Sequence, residues 1–278
     1  MLFRSRIMIE APDFERRFSG VRRLYGDAGL AKLQATHITV IGIGGVGSWT
    51  AEALARSAVG IITLIDLDNI AESNVNRQLH AVDGNIGKAK VTAMRERILS
   101  INPNCIVREI EDFVTPQNIS KMLDFHMDGI LDCIDDAAAK AAIAANCKAT
   151  KTHLVMAGGA GGRLDPMRIK SADLANVTND KLLAKVRNIL RKDYGKIHGY
   201  PKGKDGLNAK QAKMGIQCIF SDEAALVPPQ GNQNKAAGAS PLKQDAMTGL
   251  NCAGYGASVC VTAPFGFAAA SVLLKLIL

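Results

Sequence analysis

Aromatic side chains are scarce: they make up 5% of the 278 residues, with a single tryptophan. The core must therefore rest on aliphatic side chains and alanine, as in parallel strands covered by helices. The six cysteines (Cys105, Cys133, Cys147, Cys218, Cys252 and Cys260) include no C-x-x-C pair. That excludes a zinc knuckle and a dithiol redox motif, and their spacing is too wide for a compact disulfide framework. A reduced, cytoplasmic compartment is the expectation. The opening residues lack an apolar stretch long enough for a secretory signal. Residues 257–274 carry no charge and reach the lower length for a membrane span. Pro264 and Gly266 interrupt them, and their Ala, Gly and Ser content suits packing on a sheet, so a buried helix is expected rather than a membrane anchor. Charged residues at 22% and hydrophobic ones at 47% exclude a wholly disordered chain.

Positive charge, in contrast, is concentrated. Between Lys181 and Lys213 stand ten cations, among them Lys181, Lys185, Arg191, Lys192, Lys202, Lys204 and Lys210, opposed only by Asp193 and Asp205. This segment carries a net +8, equal to the formal charge of the whole chain. Such a stretch reads either as a phosphate-facing surface for nucleic acid or as a solvated loop.

Short apolar runs alternate with helical periodicity. Strands are expected at 37–41, 61–65, 105–110, 129–133 and 153–156, and helices at 48–57, 88–99, from Pro116, and at 137–149. The implied fold is α/β, a doubly wound, mostly parallel sheet. Beyond it, a strand is expected over 163–169, a basic helix over 180–192, a mobile Gly- and Lys-rich stretch over 195–206, and a strand over 217–220. Residues 227–248 read as a long exposed loop of the kind that is usually functional.

Gly42-Ile-Gly44-Gly45-Val-Gly47 follows the first strand and opens a helix, which lets the backbone approach a phosphate. Asp66 lies 19 residues beyond Gly47, where a carboxylate can bind a ribose. These features establish nucleotide binding and leave the reaction open, a dehydrogenase included. Shortly after Asp66-x-Asp68, Asn74, Asn76, Arg77, Gln78 and Lys90 supply what a triphosphate-splitting site needs, cations and amide donors. In Asp132-Cys-Ile-Asp135-Asp136 a carboxylate can hold magnesium against the phosphates.

In order along the chain, G-x-G-G-x-G-S, Asp66-x-Asp68, Asn74-x-Asn76-Arg77-Gln78, Gly87-Lys88-x-Lys90 and Asp132-x-x-Asp135 resemble the adenylating domain of ubiquitin-activating enzymes and their bacterial relatives. Arg23-Leu-Tyr-Gly26, Asp112-Phe-Val-Thr-Pro116, Gly158-Gly-Ala-Gly-Gly162 and Thr262-x-x-Phe-Gly-Phe267 are similar to one branch of that superfamily, the tRNA threonylcarbamoyladenosine dehydratases. The resemblance implies a Rossmann-like adenylation fold with a carboxyl-terminal, substrate-side extension. Residues 1–13 would be an extension and 14–278 one adenylating domain, with a nucleotide-binding half at 14–162 and a tRNA-side half at 163–278.

The activity so implied is ATP-dependent cyclisation of threonylcarbamoyladenosine in the tRNA anticodon loop, through an acyl-adenylate. Gly42, Gly44, Gly45, Gly47, Asp66, Asp68, Asn74, Arg77, Gln78 and Lys90 would bind ATP, with Arg77, Lys90 and Asp135 catalytic and Asp135 the magnesium ligand. The family also implies a homodimer in which an amino-terminal arginine, here Arg17 or Arg23, enters the partner's ATP site. Gly158 to Gly162 would admit substrate or a monovalent cation, or simply allow close packing. Zinc is not expected. A cysteine desulfurase and a SufE-like sulfur acceptor are the implied protein partners, with Cys218 and Cys252 as contact candidates unless they are buried structural cysteines. The competing readings are an adenylyltransferase for the terminal glycine of a ubiquitin-like sulfur carrier, and a nucleotide-sensing scaffold.

Overall fold

The computed structural model describes residues 11–201, 213–226 and 255–278. Seven strands form one sheet: β1 (His37–Ile41), β2 (Ile61–Ile65), β3 (Ile106–Ile110), β4 (Gly129–Asp132), β5 (His153–Ala157), β6 (Ile169–Asp173) and β7 (Gln217–Ser221). Their spatial order is β3-β2-β1-β4-β5-β7-β6. All neighbours are parallel except β6, which runs antiparallel to β7 at the edge. Every residue of β1 is buried, as a central strand covered on both faces requires. The order reverses between β1 and β4, and that switch point opens a crevice at the carboxyl ends of the strands.

The helices divide between the two faces. On one lie α2 (Gly47–Arg56), α3 (Lys90–Ile101) and, last in the chain, α8 (Val259–Ile277), around Leu54, Met94, Phe265 and Leu273. On the other lie α4 (Ile119–Met122), α5 (Ala137–Thr150), α6 (Lys181–Asp193) and α7 (Gly195–His198), around Ile143, Leu183, Val186 and Leu190. By length and composition α8 could cross a membrane. In the fold its buried residues, Val261, Phe265, Ala269 and Leu273 among them, pack against α2 and the sheet. Burial of the Val261, Phe265 and Leu273 side chains contributes about 1.5–3 kcal/mol each.

Three expectations are corrected. The strand expected over 163–169 begins only at Ile169. Before it, Asp165 accepts the Met167 amide and Pro166 fixes a tight turn, which takes the chain out of extended geometry. The helix expected from Pro116 is a single turn starting at Ile119, because Thr115 and Asn118 bond each other's backbone amides and hold a local turn instead. The stretch expected to be mobile over 195–206 begins with the turn α7, and Tyr200 behind it is buried, its hydroxyl donating to the Ala144 carbonyl at 3.1 Å.

One helix carries no sequence signal that the alternating pattern exposes. α1 (Phe14–Ala35) is capped by Asp13, broken at Gly26 (φ 74°), and buries Phe18, Leu30 and Leu33. At the other end of the sheet, β7 hydrogen-bonds β5, so the chain beyond 163 extends the same sheet.

Candidate nucleotide site

The glycine loop leaves β1 by a turn that only glycine can make. Gly42 has φ +84°, and a Cβ there would lie 2.9 Å from the Ile134 side chain. A Cβ on Gly47 would fall 1.7 Å from the Gly42 carbonyl oxygen. These two glycines build the loop. A Cβ on Gly44 would meet only the amide end of Gln78, and one on Gly45 the aliphatic stem of Arg77. Val46, at the amino end of α2, offers no capping side chain, and the first turn holds no acid. The helix terminus is thereby left to an anion.

Asp66, at the end of β2, ties this loop to its neighbour. One carboxylate oxygen accepts the Ile43 amide at 2.6 Å and the other accepts the Asp68 amide at 2.9 Å. Lys90, buried at the start of α3, donates to Asp68 at 2.6 Å and stands 3.6 Å from Asp66. The cation expected at the triphosphate is thus held by two carboxylates past the end of β2.

The 74–80 segment folds over the loop. Asn74 accepts the Ala71 amide and closes a 3-10 turn. Arg77 lays its stem across Gly45 and donates to the Ser73 carbonyl and to Asn76 at 2.8 and 2.9 Å. Trp49 donates to the Arg77 carbonyl, fixing the segment to α2. Gln78 is buried with its carbonyl oxygen unpartnered. His80, to which the motifs assign no role, donates from Nε2 to the Ile43 carbonyl at 2.8 Å while Nδ1 has no partner. Burial holds its pKa below 6.5, with the nearby Lys90 adding to the effect.

At the end of β4 the two aspartates separate. Asp132 is fully buried and accepts from Lys140 at 2.9 Å, an ion pair closed to solvent. Burial pushes its carboxyl upward against the pull of Lys140. Asp135 is half-buried and has no hydrogen-bond or ion-pair partner among the described residues. No cluster of three or more His, Cys, Asp or Glu exists among the described residues. A single free carboxylate suits magnesium, which takes one or two protein oxygens and completes its shell with phosphates and water.

Gly42, Gly44, Gly45, Gly47, Arg77 and Gln78 lie at the glycine loop, Asp66, Asp68 and Lys90 beside it past the end of β2, Asn74 in the turn that leads to Arg77, and Asp135 past the end of β4, all along the carboxyl edge of the sheet. Arg17 is not among them. It donates to the carbonyls of Ser100 and Ile101 at 3.1 and 2.6 Å, capping the carboxyl end of α3 in its own chain. Arg23 is exposed on α1.

The basic segment is no uniform ribbon. Lys181, Lys185 and Lys192 are exposed on α6, whereas Arg187 donates to the Leu174 and Val177 carbonyls and Arg191 is half-buried, its pKa lowered by burial and by Arg187. Lys202, Lys204 and Lys210, the loop 227–248 and Cys252 lie outside the described residues. Cys218 is wholly buried in β7 and burial pushes its thiol well up, which makes it a packing residue. In the second glycine loop, a Cβ on Gly158 would fall 2.2 Å from Asp180, and Gly162 has φ +70°, so close approach at one and left-handed backbone at the other require glycine.

A doubly wound sheet with a glycine loop at its switch point defines a nucleotide-binding class, and the family model "ThiF family" matches residues 17–278. The chain belongs to the ThiF family. Within it, the tRNA threonylcarbamoyladenosine dehydratase of Escherichia coli K12 is 44% identical over 266 residues, which cover 94% of this chain and 93% of that protein. The crystal structure of the E. coli enzyme TcdA in complex with ATP superposes with a TM-score of 0.80 at 40% identity, covering 96% of each chain. The E. coli molybdopterin-synthase adenylyltransferase is 31% identical over 127 residues, 46% of this chain and 51% of its own length.

Proposed function

We propose that this protein is an ATP-dependent tRNA threonylcarbamoyladenosine dehydratase. The observation that carries the reading is likeness to the E. coli dehydratase over nearly the whole length of both chains, substrate half included. Likeness to an adenylyltransferase for a protein carboxyl terminus stops short of half the chain, so that alternative is the weaker.

The chemistry needs a carboxylate oxygen turned into a good leaving group. The threonyl carboxylate attacks the α-phosphorus of ATP and the bond to pyrophosphate breaks. A nitrogen of the carbamoyl group then attacks the acyl carbon, loses its proton, and AMP departs with the former carboxylate oxygen. The product is the cyclic hydantoin, one water poorer than the substrate. The protein's part is alignment and charge neutralisation. Gly44, Gly45 and the amino end of α2 receive phosphates, Asp66 orients the ribose, and Arg77 meets the charge that builds on the leaving pyrophosphate. Lys90 reaches the phosphates only by exchanging Asp68 for them, a rearrangement ATP would have to drive. Asp135 would hold magnesium, which screens the phosphate charge when bound.

The finer assignments belong to the same reading. Lys181, Lys185 and Lys192, with Lys202, Lys204 and Lys210, would bind tRNA phosphates. Arg23, since Arg17 is engaged, would act across a homodimer interface. The setting would be cytoplasmic, and any sulfur-transfer partner would have to engage a surface other than Cys218. The test is incubation of the protein with ATP and an anticodon stem-loop bearing threonylcarbamoyladenosine, followed by mass spectrometry of the nucleosides. Loss of one water with release of AMP is expected. An unchanged nucleoside, with adenylation of a ubiquitin-like protein instead, would overturn the assignment.

A further inference from the structure

Arg163 follows directly on the second glycine loop and is only 4% exposed. Its Nη2 donates to the Asn179 carbonyl at 2.7 Å, but Nε and Nη1 are buried without a hydrogen-bond partner. No described carboxylate stands within ion-pair distance of it, and Glu223 feels its charge only as a weak pull from farther off. Asp180 gives one oxygen to the Gly159 amide and the other to the Leu183 amide, both at 2.8 Å. Glu223 accepts the Leu164 and Asp165 amides, each at 3.1 Å. Asp222 holds Arg168 and Lys170. A buried guanidinium with idle donors is unfavourable in isolation, and such a group calls for a partner that arrives from outside.

Its position narrows the kind of partner. Arg163 stands beyond the carboxyl end of β5, the strand next to β4, whose end leads to Asp135. Gly162 beside it is bonded to both Leu226 and Gly256, so three chain segments meet there. A guanidinium is the side chain best matched to a planar, two-oxygen anion.

We propose that Arg163 binds the carboxylate of the threonyl group on the modified adenosine and so presents it to the α-phosphate. This rests on the function proposed above. Two anticodon stem-loops test it, one with the free threonyl carboxylate and one with its methyl ester, titrated into the full-length wild type, Arg163→Gln and Arg163→Lys, with ATP affinity and thermal melting measured alongside.

Wild type should prefer the acid by roughly ten- to a hundredfold, the usual size of a hydrogen bond to a charged group. Arg163→Gln should bind both stem-loops equally, at the ester's level, while Arg163→Lys keeps part of the preference. ATP affinity should not change, and Arg163→Gln should melt at or above the wild-type temperature, since a buried unpaired charge has gone. Retained discrimination in Arg163→Gln would overturn the proposal. So would equal weakening of both stem-loops, which marks an RNA phosphate contact, a loss confined to ATP, or a clear fall in melting temperature, which marks a structural role. If wild type neither discriminates nor converts the acid, the proposed function itself has failed.

Discussion

Lys140 and Asp132 show how much a single residue can hide from sequence reading. Asp132-x-x-Asp135 offers two carboxylates to a metal, and only the fold shows that Lys140, one helical turn into α5, has claimed the first. Lys140→Met would leave Asp132 buried and unpaired, at a cost of about 3–5 kcal/mol; the urea unfolding midpoint should fall accordingly. Asp135, free of such a partner, should behave in the opposite way. Asp135→Asn and Arg77→Ala should each lower the rate of ATP–pyrophosphate exchange on the order of a hundredfold while far-UV circular dichroism is unchanged. Wild-type exchange in both variants would remove this crevice as the reaction site.

His80 sets a pH dependence. With Nε2–H on the Ile43 carbonyl and Nδ1 buried and bare, protonation would create a second buried donor without an acceptor. Its folded pKa is lowered, so the unfolded chain binds the proton more readily. The stability it contributes is complete above 6.5 and is lost as the pH falls toward the folded value. His37, lowered by burial too, acts with the same sign. Denaturation series between pH 5 and 7.5 should show stability falling below about 6.5, by no more than about 1.4 kcal/mol per pH unit for each group. His80→Gln should remove part of that slope.

Among the elements, the crossing of α2 and α8 couples the last helix to the glycine loop. A Cβ on Gly266 would lie 2.6 Å from the Val46 carbonyl oxygen and 2.8 Å from the Thr50 nitrogen, both backbone atoms that cannot swing aside. Gly266→Ala should therefore push the helices apart, costing about 1–3 kcal/mol in a melting experiment. Because Val46 belongs to the loop, ATP affinity should fall as well. Unchanged melting and ATP binding would show that the crossing relaxes without reaching the site. In the sequence, Gly266 interrupts an apolar stretch and belongs to a branch motif, and neither reading places it at a helix crossing.

On the scale of the whole molecule, α6 begins beside the second glycine loop, where Asp180 bonds the Gly159 amide, and runs away from it. Lys181 and Lys192 are consequently roughly 16 Å apart along the helix. A nucleic acid touching both must follow α6 as well as reach the crevice. Replacing Lys181, Lys185 and Lys192 together by glutamine should weaken tRNA binding and spare ATP binding. Each phosphate contact removed should lower the log–log salt slope by up to ~0.9. An unaltered slope would move the tRNA surface to another part of the chain.

The sequence by itself determined the alternating strands and helices, the glycine loop and the order of the nucleotide motifs. These are local: apolar period, turn chemistry and residue spacing are all written in neighbouring positions. Tertiary structure alone decided which charges are free. Lys90 and Arg17 read as available cations, yet one is held by Asp68 and the other by the end of α3, across 22 and 84 positions of chain. Asp132 and Asp135 differ by the reach of one lysine. Arg163, a lone arginine after a glycine loop, acquires meaning only when burial withholds water from it and no described carboxylate stands within ion-pair distance. Partners for charge are set by distance in space, which periodicity and spacing do not encode.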